Sequence, residues 1–188
     1  MTPATATATL VTTTIPTPPG PFTVIAREDE SGELTVLASG WAPDAQALLK
    51  LVRAERVPAP PEALAPGAIA ERDELGAITQ AVRDYVAGDL RAIDAVTVEQ
   101  EGGAFTARAW ERLREIPAGE PQTYSQLAAS SGNPGAIRAA GSACGRNTAA
   151  LFVPCHRVVR TGGALGGFLY GLDVKRWLLA HEAGAGAA

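Results

Sequence analysis

At Gly102-Gly103 the chain changes character, and the change limits the folds open to it. Before the pair, runs rich in Thr, Val and Ile alternate with prolines and glycines, and after it short helical stretches meet at tight turns. "TLVTTTIP" and "FTVIARE", joined by "TPPGP", read as a β-hairpin, and "ELTVLASG" behind the turn signal "DESG" adds a third strand. "PDAQALLKLVRAE" spaces its apolar residues helically behind the N-cap candidate Asp44. "ELGAITQAVRDYVAGDL" repeats that spacing, with Leu75, Ile78, Val82 and Tyr85 or Val86 on one face, and the proline-rich stretch 57–67 between the two reads as a loop. Strands followed by helices predict a small mixed α/β domain over residues 1–103, of which 1–8 form a flexible start.

Residues 104–188 predict a second, helical domain. "AFTARAWERLREI" is one helix, "TYSQLAASSG" a short one with Thr123 as N-cap, and "NPGAIRAAGSACGRN" a third, opened by Asn133 with Pro134 at the first helical position. The last two, joined by a glycine-containing turn, have the outline of a helix-turn-helix, an arrangement that in DNA-binding proteins puts its second helix against DNA. That second helix is almost all Ala, Gly and Ser, with Arg138 projecting from its first turn. Such a smooth helix suits close packing on a neighbour, and it equally suits a narrow groove in which one arginine acts as a probe.

The net charge of −4 hides a division: residues 1–105 carry 7 Lys+Arg against 15 Asp+Glu, and residues 106–188 carry 9 against 5. The halves are thus −8 and +4, and the basic half is the candidate for an anionic partner. Two cysteines, Cys144 and Cys155, are too few for a disulfide framework, and no Cys/His spacing suits a metal, so the expectation is a cytoplasmic protein without metal or cofactor. The N-terminus lacks the basic and apolar regions of a leader, and no apolar run is long enough to cross a bilayer.

"LFVPCHRVVR" at 151–160 sets one of the two cysteines beside one of the two histidines in an apolar run. Cys155 could simply fill core there, since an unactivated cysteine behaves as a small hydrophobe. A thiol becomes a strong nucleophile only as thiolate; His156 supplies a candidate base, and Glu182 in "LLAHEAG" a group to orient it. In an extended segment Cys155 and His156 would point to opposite faces, so their communication requires a local turn or a bridging water. Cys144 reads as helix packing, and His181 as a surface residue near a helix C-terminus.

"PCHRVV" at 154–159, with "GRN" at 145–147 and "GNPGAIRAAG" at 132–141 before it and "GGALGGFLYGLDVKRWLLAHE" at 162–182 after it, resembles the catalytic domain of the O6-alkylguanine-DNA alkyltransferases. The likeness runs from about Phe105 to Glu182, takes in "IPAGEPQTYSQLA", and is only loose in the acidic half. It implies a ribonuclease-H-like N-terminal domain and a winged-helix-like C-terminal domain. It also implies a monomeric repair protein that flips O6-alkylguanine, with O4-alkylthymine as a second candidate substrate, out of double-stranded DNA. The alkyl group then moves irreversibly to a cysteine, once per molecule.

On that resemblance Cys155 is the acceptor, His156 and Glu182 are its relay through a bound water, and Asn147 holds the turn that presents it. Arg138 fills the gap left by the flipped nucleotide, Tyr124 sits beside the lesion and its phosphate, and the Val158 carbonyl meets the guanine edge. Ser125, Asn133, Gly166, Phe168 and Tyr170 complete the surface for DNA and lesion. Two departures stand out: Phe168-Leu169 occupies the loop where many members carry tyrosine followed by small residues, and the Cys and His residues for the zinc site of some relatives are absent. The alternative is a non-catalytic damage-recognition protein of the same build, a group that lacks the acceptor cysteine.

Overall fold

The computed structural model describes residues 9–184, so the expectation for residues 1–8 lies outside the described residues. Strands β1 (Thr9–Thr17) and β2 (Gly20–Glu28) form the expected hairpin, with Thr9 opposite Glu28 and Thr17 opposite Gly20. Strand β3 (Leu34–Trp41) runs antiparallel to β2. A strand the pattern did not announce, β4 (Ala70–Glu71), lies parallel to β1 and completes the order β3-β2-β1-β4. Two residues leave no alternation to read.

Helix α1 (Ala45–Val52) begins where Asp44 accepts a 2.8 Å bond from the Ala47 amide. It ends earlier than its apolar spacing suggests, because Arg53 turns left-handed at φ 67° and Ala54–Arg56 tighten into a 3₁₀ turn. Helix α2 (Ala77–Ala87) stops at Gly88, whose φ of 111° suits a residue without Cβ. Its buried face carries Ile78, Val82 and Tyr85.

Past Gly103 come α3 (Ala104–Glu115), β5 (Gln122–Thr123), α4 (Tyr124–Ser130), α5 (Ile137–Arg146), β6 (Val158–Val159) and α6 (Leu172–Glu182). Thr123 caps α4 in a reciprocal box with Gln126. Helix α5 starts at Ile137, later than Asn133-Pro134 suggested. The Asn133 carbonyl and side chain take the amides of Ala136 and Gly135, closing a turn that competes with helix. The smooth face of α5 does pack: Ala140 and Ala143 are buried, and the Trp110 indole of α3 donates to the Ala143 carbonyl at 2.9 Å.

One sheet face packs Leu10, Ile25 and Leu37 on Leu48 and Leu49 of α1. The other joins Val11, Phe22 and Val24 to α2 and, across Gly102-Gly103, to Leu113, Leu127, Phe152 and Leu178. The result is a mixed α/β chain with six α-helices among the described residues. No helix among them is long and apolar enough to cross a membrane.

Candidate active site

Residues 147–157 form a tightly bonded bend between α5 and β6. The Asn147 amide spans it, donating to the Val153 carbonyl at 2.7 Å while its oxygen accepts from the Ala149 amide at 3.0 Å. Leu151, inside the bend, has φ 73°, a strained value for a bulky residue and one that surrounding contacts must hold. Those contacts come largely from β3: the Ser39 amide donates to the Thr148 carbonyl, its hydroxyl to the Ala150 carbonyl, and the Ala150 amide returns a bond to the Ser39 carbonyl. The Thr148 hydroxyl adds a bond to the Leu37 carbonyl.

After Pro154 the chain makes a single 3₁₀ turn, Cys155–Arg157. Cys155 and His156 are therefore not on opposite faces of a strand. Cys155 is 9% exposed and forms the floor of a cavity of about 240 Å³ walled by Tyr124, Gly141, Cys144, Asn147, Phe168, Leu169 and Tyr170. Burial pushes the Cys155 thiol up, while the Asn147 side chain and the Lys175 charge draw it back down. Cys144 belongs to this wall rather than to packing alone, and burial keeps it a thiol as well. Burial, and then the two cysteines, raise Tyr124, so its hydroxyl remains a proton donor.

Behind the thiol, His156, Arg157 and Glu182 are all buried. His156 Nε2 lies 2.8 Å from Glu182 Oε1, and Arg157 clasps the same carboxylate through Nε and Nη2 while Nη1 donates to the Ile116 carbonyl at 2.6 Å. Burial pushes Glu182 up, but the hydrogen bonds and charges of His156 and Arg157 outweigh it and hold the carboxyl at about 2. Burial depresses His156 against the pull of Glu182. An ionised carboxylate only accepts, so a neutral His156 carries its proton on Nε2 and presents a bare lone pair at Nδ1. That Nδ1 is buried and has no hydrogen-bond partner among the protein atoms.

Of the residues singled out in the sequence, Cys155, Tyr124, Asn147, Phe168 and Tyr170 meet at the cavity, and His156 and Glu182 pair beneath it. Gly166 is buried against Tyr124, whose hydroxyl occupies the space a Cβ would need. Ser125, Asn133 and Arg138 are exposed beyond the cavity wall, on α4, the turn and the first turn of α5. The Val158 carbonyl is not bare: it accepts a 2.7 Å bond from Nζ of Lys175, a buried lysine that nothing in the local pattern singles out. The Tyr170 hydroxyl turns away to the Ser39 carbonyl, 3.0 Å distant, leaving its ring edge-on to Trp41 and Phe168.

Two further residues come from reading the structure alone. Tyr85 of α2 donates from its hydroxyl to Glu182 Oε1 at 2.7 Å. His181, expected at the surface, is half-buried, stacked on Trp177 at 4.7 Å and placed by Nε2 on the Tyr85 carbonyl at 2.7 Å. A buried tyrosine needs a partner for its hydroxyl, so Tyr85 on the apolar face of α2 was the available signal.

Residues 104–184 match the family described as "6-O-methylguanine DNA methyltransferase, DNA binding domain". The methylated-DNA-protein-cysteine methyltransferase of Salmonella typhimurium is 44% identical over 107 residues, 57% of this chain and 63% of that protein. The enzyme of that name from Methanosarcina mazei is 39% identical over 114 residues, 61% of this chain and 72% of that protein. The crystal structure of Mycobacterium tuberculosis O6-methylguanine methyltransferase matches with a TM-score of 0.69 and 28% identity, covering 94% of each chain, and the structure of that protein in complex with DNA matches at 0.68. The sequence alignment with the Salmonella protein thus spans less than two thirds of it, while the structural match runs nearly end to end. By its sequence likeness and its fold together, the chain belongs to the methylated-DNA-protein-cysteine methyltransferase family.

Proposed function

We propose that the protein repairs double-stranded DNA by moving the alkyl group of O6-alkylguanine to Cys155, once per molecule, with O4-alkylthymine as a second candidate substrate. The observation that carries the reading is a buried thiol lining a cavity, followed in the same 3₁₀ turn by a carboxylate-held histidine whose buried Nδ1 is unpartnered. The reaction balances without a cofactor. His156 takes the thiol proton across a bridging water, a sulfur lone pair attacks the alkyl carbon, and the carbon–oxygen electrons return to the guanine as a proton is supplied there, with Tyr124 as donor. The products are S-alkylcysteine and guanine, and a thioether has no leaving route.

A stacked base hides its alkyl carbon, so the nucleotide must leave the duplex at a cost of roughly a few kcal/mol. Exposed Arg138 fills the gap from the minor groove, and Ser125 and Asn133 flank it on the DNA side. Asn147 holds the thiol bend, the second lone pair of the Val158 carbonyl meets the guanine edge, and Gly166, Phe168 and Tyr170 shape the wall against the alkyl group. The relative solved in complex with DNA supports DNA as the partner.

The finer architecture belongs to the same reading. A sheet of order β3-β2-β1-β4 with only β4 parallel to β1 supports a ribonuclease-H-like domain over 1–103, and α4, α5 and the β5-β6 pair support a winged-helix-like domain over 104–188. The protein acts as a monomer in the cytoplasm, where its free cysteines stay reduced.

Incubation with a duplex containing O6-methylguanine, followed by peptide mass spectrometry, tests the proposal. One methyl group on the Cys155 peptide, saturating at one per protein and absent in Cys155→Ala, is expected. Lesion binding with no mass gain, or methyl on Cys144, overturns it.

A further inference from the structure

The relay behind Cys155 has a member from the other half of the chain. We infer that Tyr85 of α2 is a positioning residue for alkyl transfer, fixing which oxygen of Glu182 stands beneath His156; the inference rests on the function proposed above. Tyr85 is 1% exposed, and its hydroxyl lies 2.7 Å from Glu182 Oε1. The same oxygen accepts from His156 Nε2 at 2.8 Å and Arg157 Nη2 at 3.0 Å. Three donors from two chain segments therefore converge on one carboxylate oxygen.

The direction of each bond is forced. Glu182 is ionised and can only accept, and burial together with the Glu182 charge keeps Tyr85 protonated. Arg157 forks both oxygens, Nε to Oε2 at 3.1 Å and Nη2 to Oε1 at 3.0 Å, so without the Tyr85 hydroxyl Oε1 loses the one donor that opposes the guanidinium, and the carboxylate can turn toward Arg157 and away from His156. Tyr85 is itself anchored, since its carbonyl accepts from His181 and its ring meets the His181 ring edge-on at 5.2 Å.

A second consequence follows from sharing. Each donor that Glu182 already serves weakens its capacity to stabilise a charged imidazole, so Tyr85 also keeps His156 neutral at rest. The charged and titratable groups facing this cluster are Glu182 and His181 from α6, His156 and Arg157 from the 3₁₀ turn, Tyr85 from α2, and the Lys175 charge that further disfavours protonated His156. Removing the Tyr85 hydroxyl should thus raise the pH below which His156 is protonated and unable to act as base.

The test is the pH profile of single-turnover alkyl transfer. Tyr85→Phe removes one buried oxygen; it is expected to slow transfer about tenfold at the plateau and move the acid limb upward by about half a unit, with lesion-duplex affinity unchanged. Site-specific 3,5-difluorotyrosine at position 85, a stronger donor of nearly the same shape, should move the limb downward, and His181→Gln should leave it in place. An acid limb that stays put in the Phe variant, or moves the same way in both Tyr85 variants, overturns the inference. Proton NMR titration of His156, assigned against His181→Gln, reads the same shift without any alkyl transfer. A wild-type protein that takes up no methyl group but shows the Tyr85-dependent shift in that titration would sink the proposed function and leave the inference standing.

Discussion

A Cβ on Gly166 would occupy the space of the Tyr124 hydroxyl, so this glycine is needed for contact rather than for backbone freedom. Gly166→Ala should swing Tyr124 away from the thiol and slow alkyl transfer about a hundredfold, the scale of an ångström-sized misplacement; a rate within a factor of two of wild type would mean that Tyr124 yields without consequence. Arg138 stands at the other extreme, exposed on the first turn of α5. Arg138→Ala should impair reaction with duplex DNA while sparing reaction with a free-base substrate such as benzylguanine, measured as two second-order rate constants. Equal losses on both would remove the flipping role. At this scale the sequence was informative where chemistry restricts residue type, as in Pro154-Cys155-His156 and Glu182, and silent where a common residue gains its role by position. Lys175 reads as one more helix-surface lysine until its amine is found buried on the Val158 carbonyl.

Short elements place the site, and they were unequally legible. Thr123 followed by Gln126 is a signal within four residues, and the structure closes it into a capping box at the start of α4, directly before Tyr124. Thr123→Ala should cost about 1 kcal/mol of stability in a denaturant titration, and unchanged stability would assign the start of α4 to tertiary contacts instead. The start of α5 was misread because Asn133 serves equally well as a helix cap and as the first residue of a turn, and the local bonds to Gly135 and Ala136 decide for the turn. Strand β4 and the β5-β6 pair are two residues each and depend wholly on partners far along the chain. Local sequence cannot carry that information.

For the molecule as a whole, the buried relay ties stability to pH. Glu182 lies at about 2 in the folded chain against an ordinary 4.5, and His156 lies below its ordinary 6.5. Both folded values are below the unfolded ones, so the stabilisation is complete above the ordinary values and is lost as pH falls, first below 6.5 for His156 and then between 4.5 and about 2 for Glu182. Urea midpoints should therefore decline in two stages on acidification, and Glu182→Gln should remove the lower stage; a flat midpoint from pH 7 to 4 would contradict the burial of neutral His156. Four of the nine basic residues of 106–188 are withdrawn from a free basic surface. Arg157 and Lys175 are buried, and Arg112 and Arg176 are paired with Glu115 and Asp173. The bonds between Ser39 and the bend at 148–150 also join residues up to 111 positions apart. At roughly 5–20 residues per second, ribosomal synthesis delivers β3 on the order of ten seconds before the segment it grips. The β3 edge that holds the strained turn is thus made before that turn leaves the ribosome, so the grip precedes what it grips.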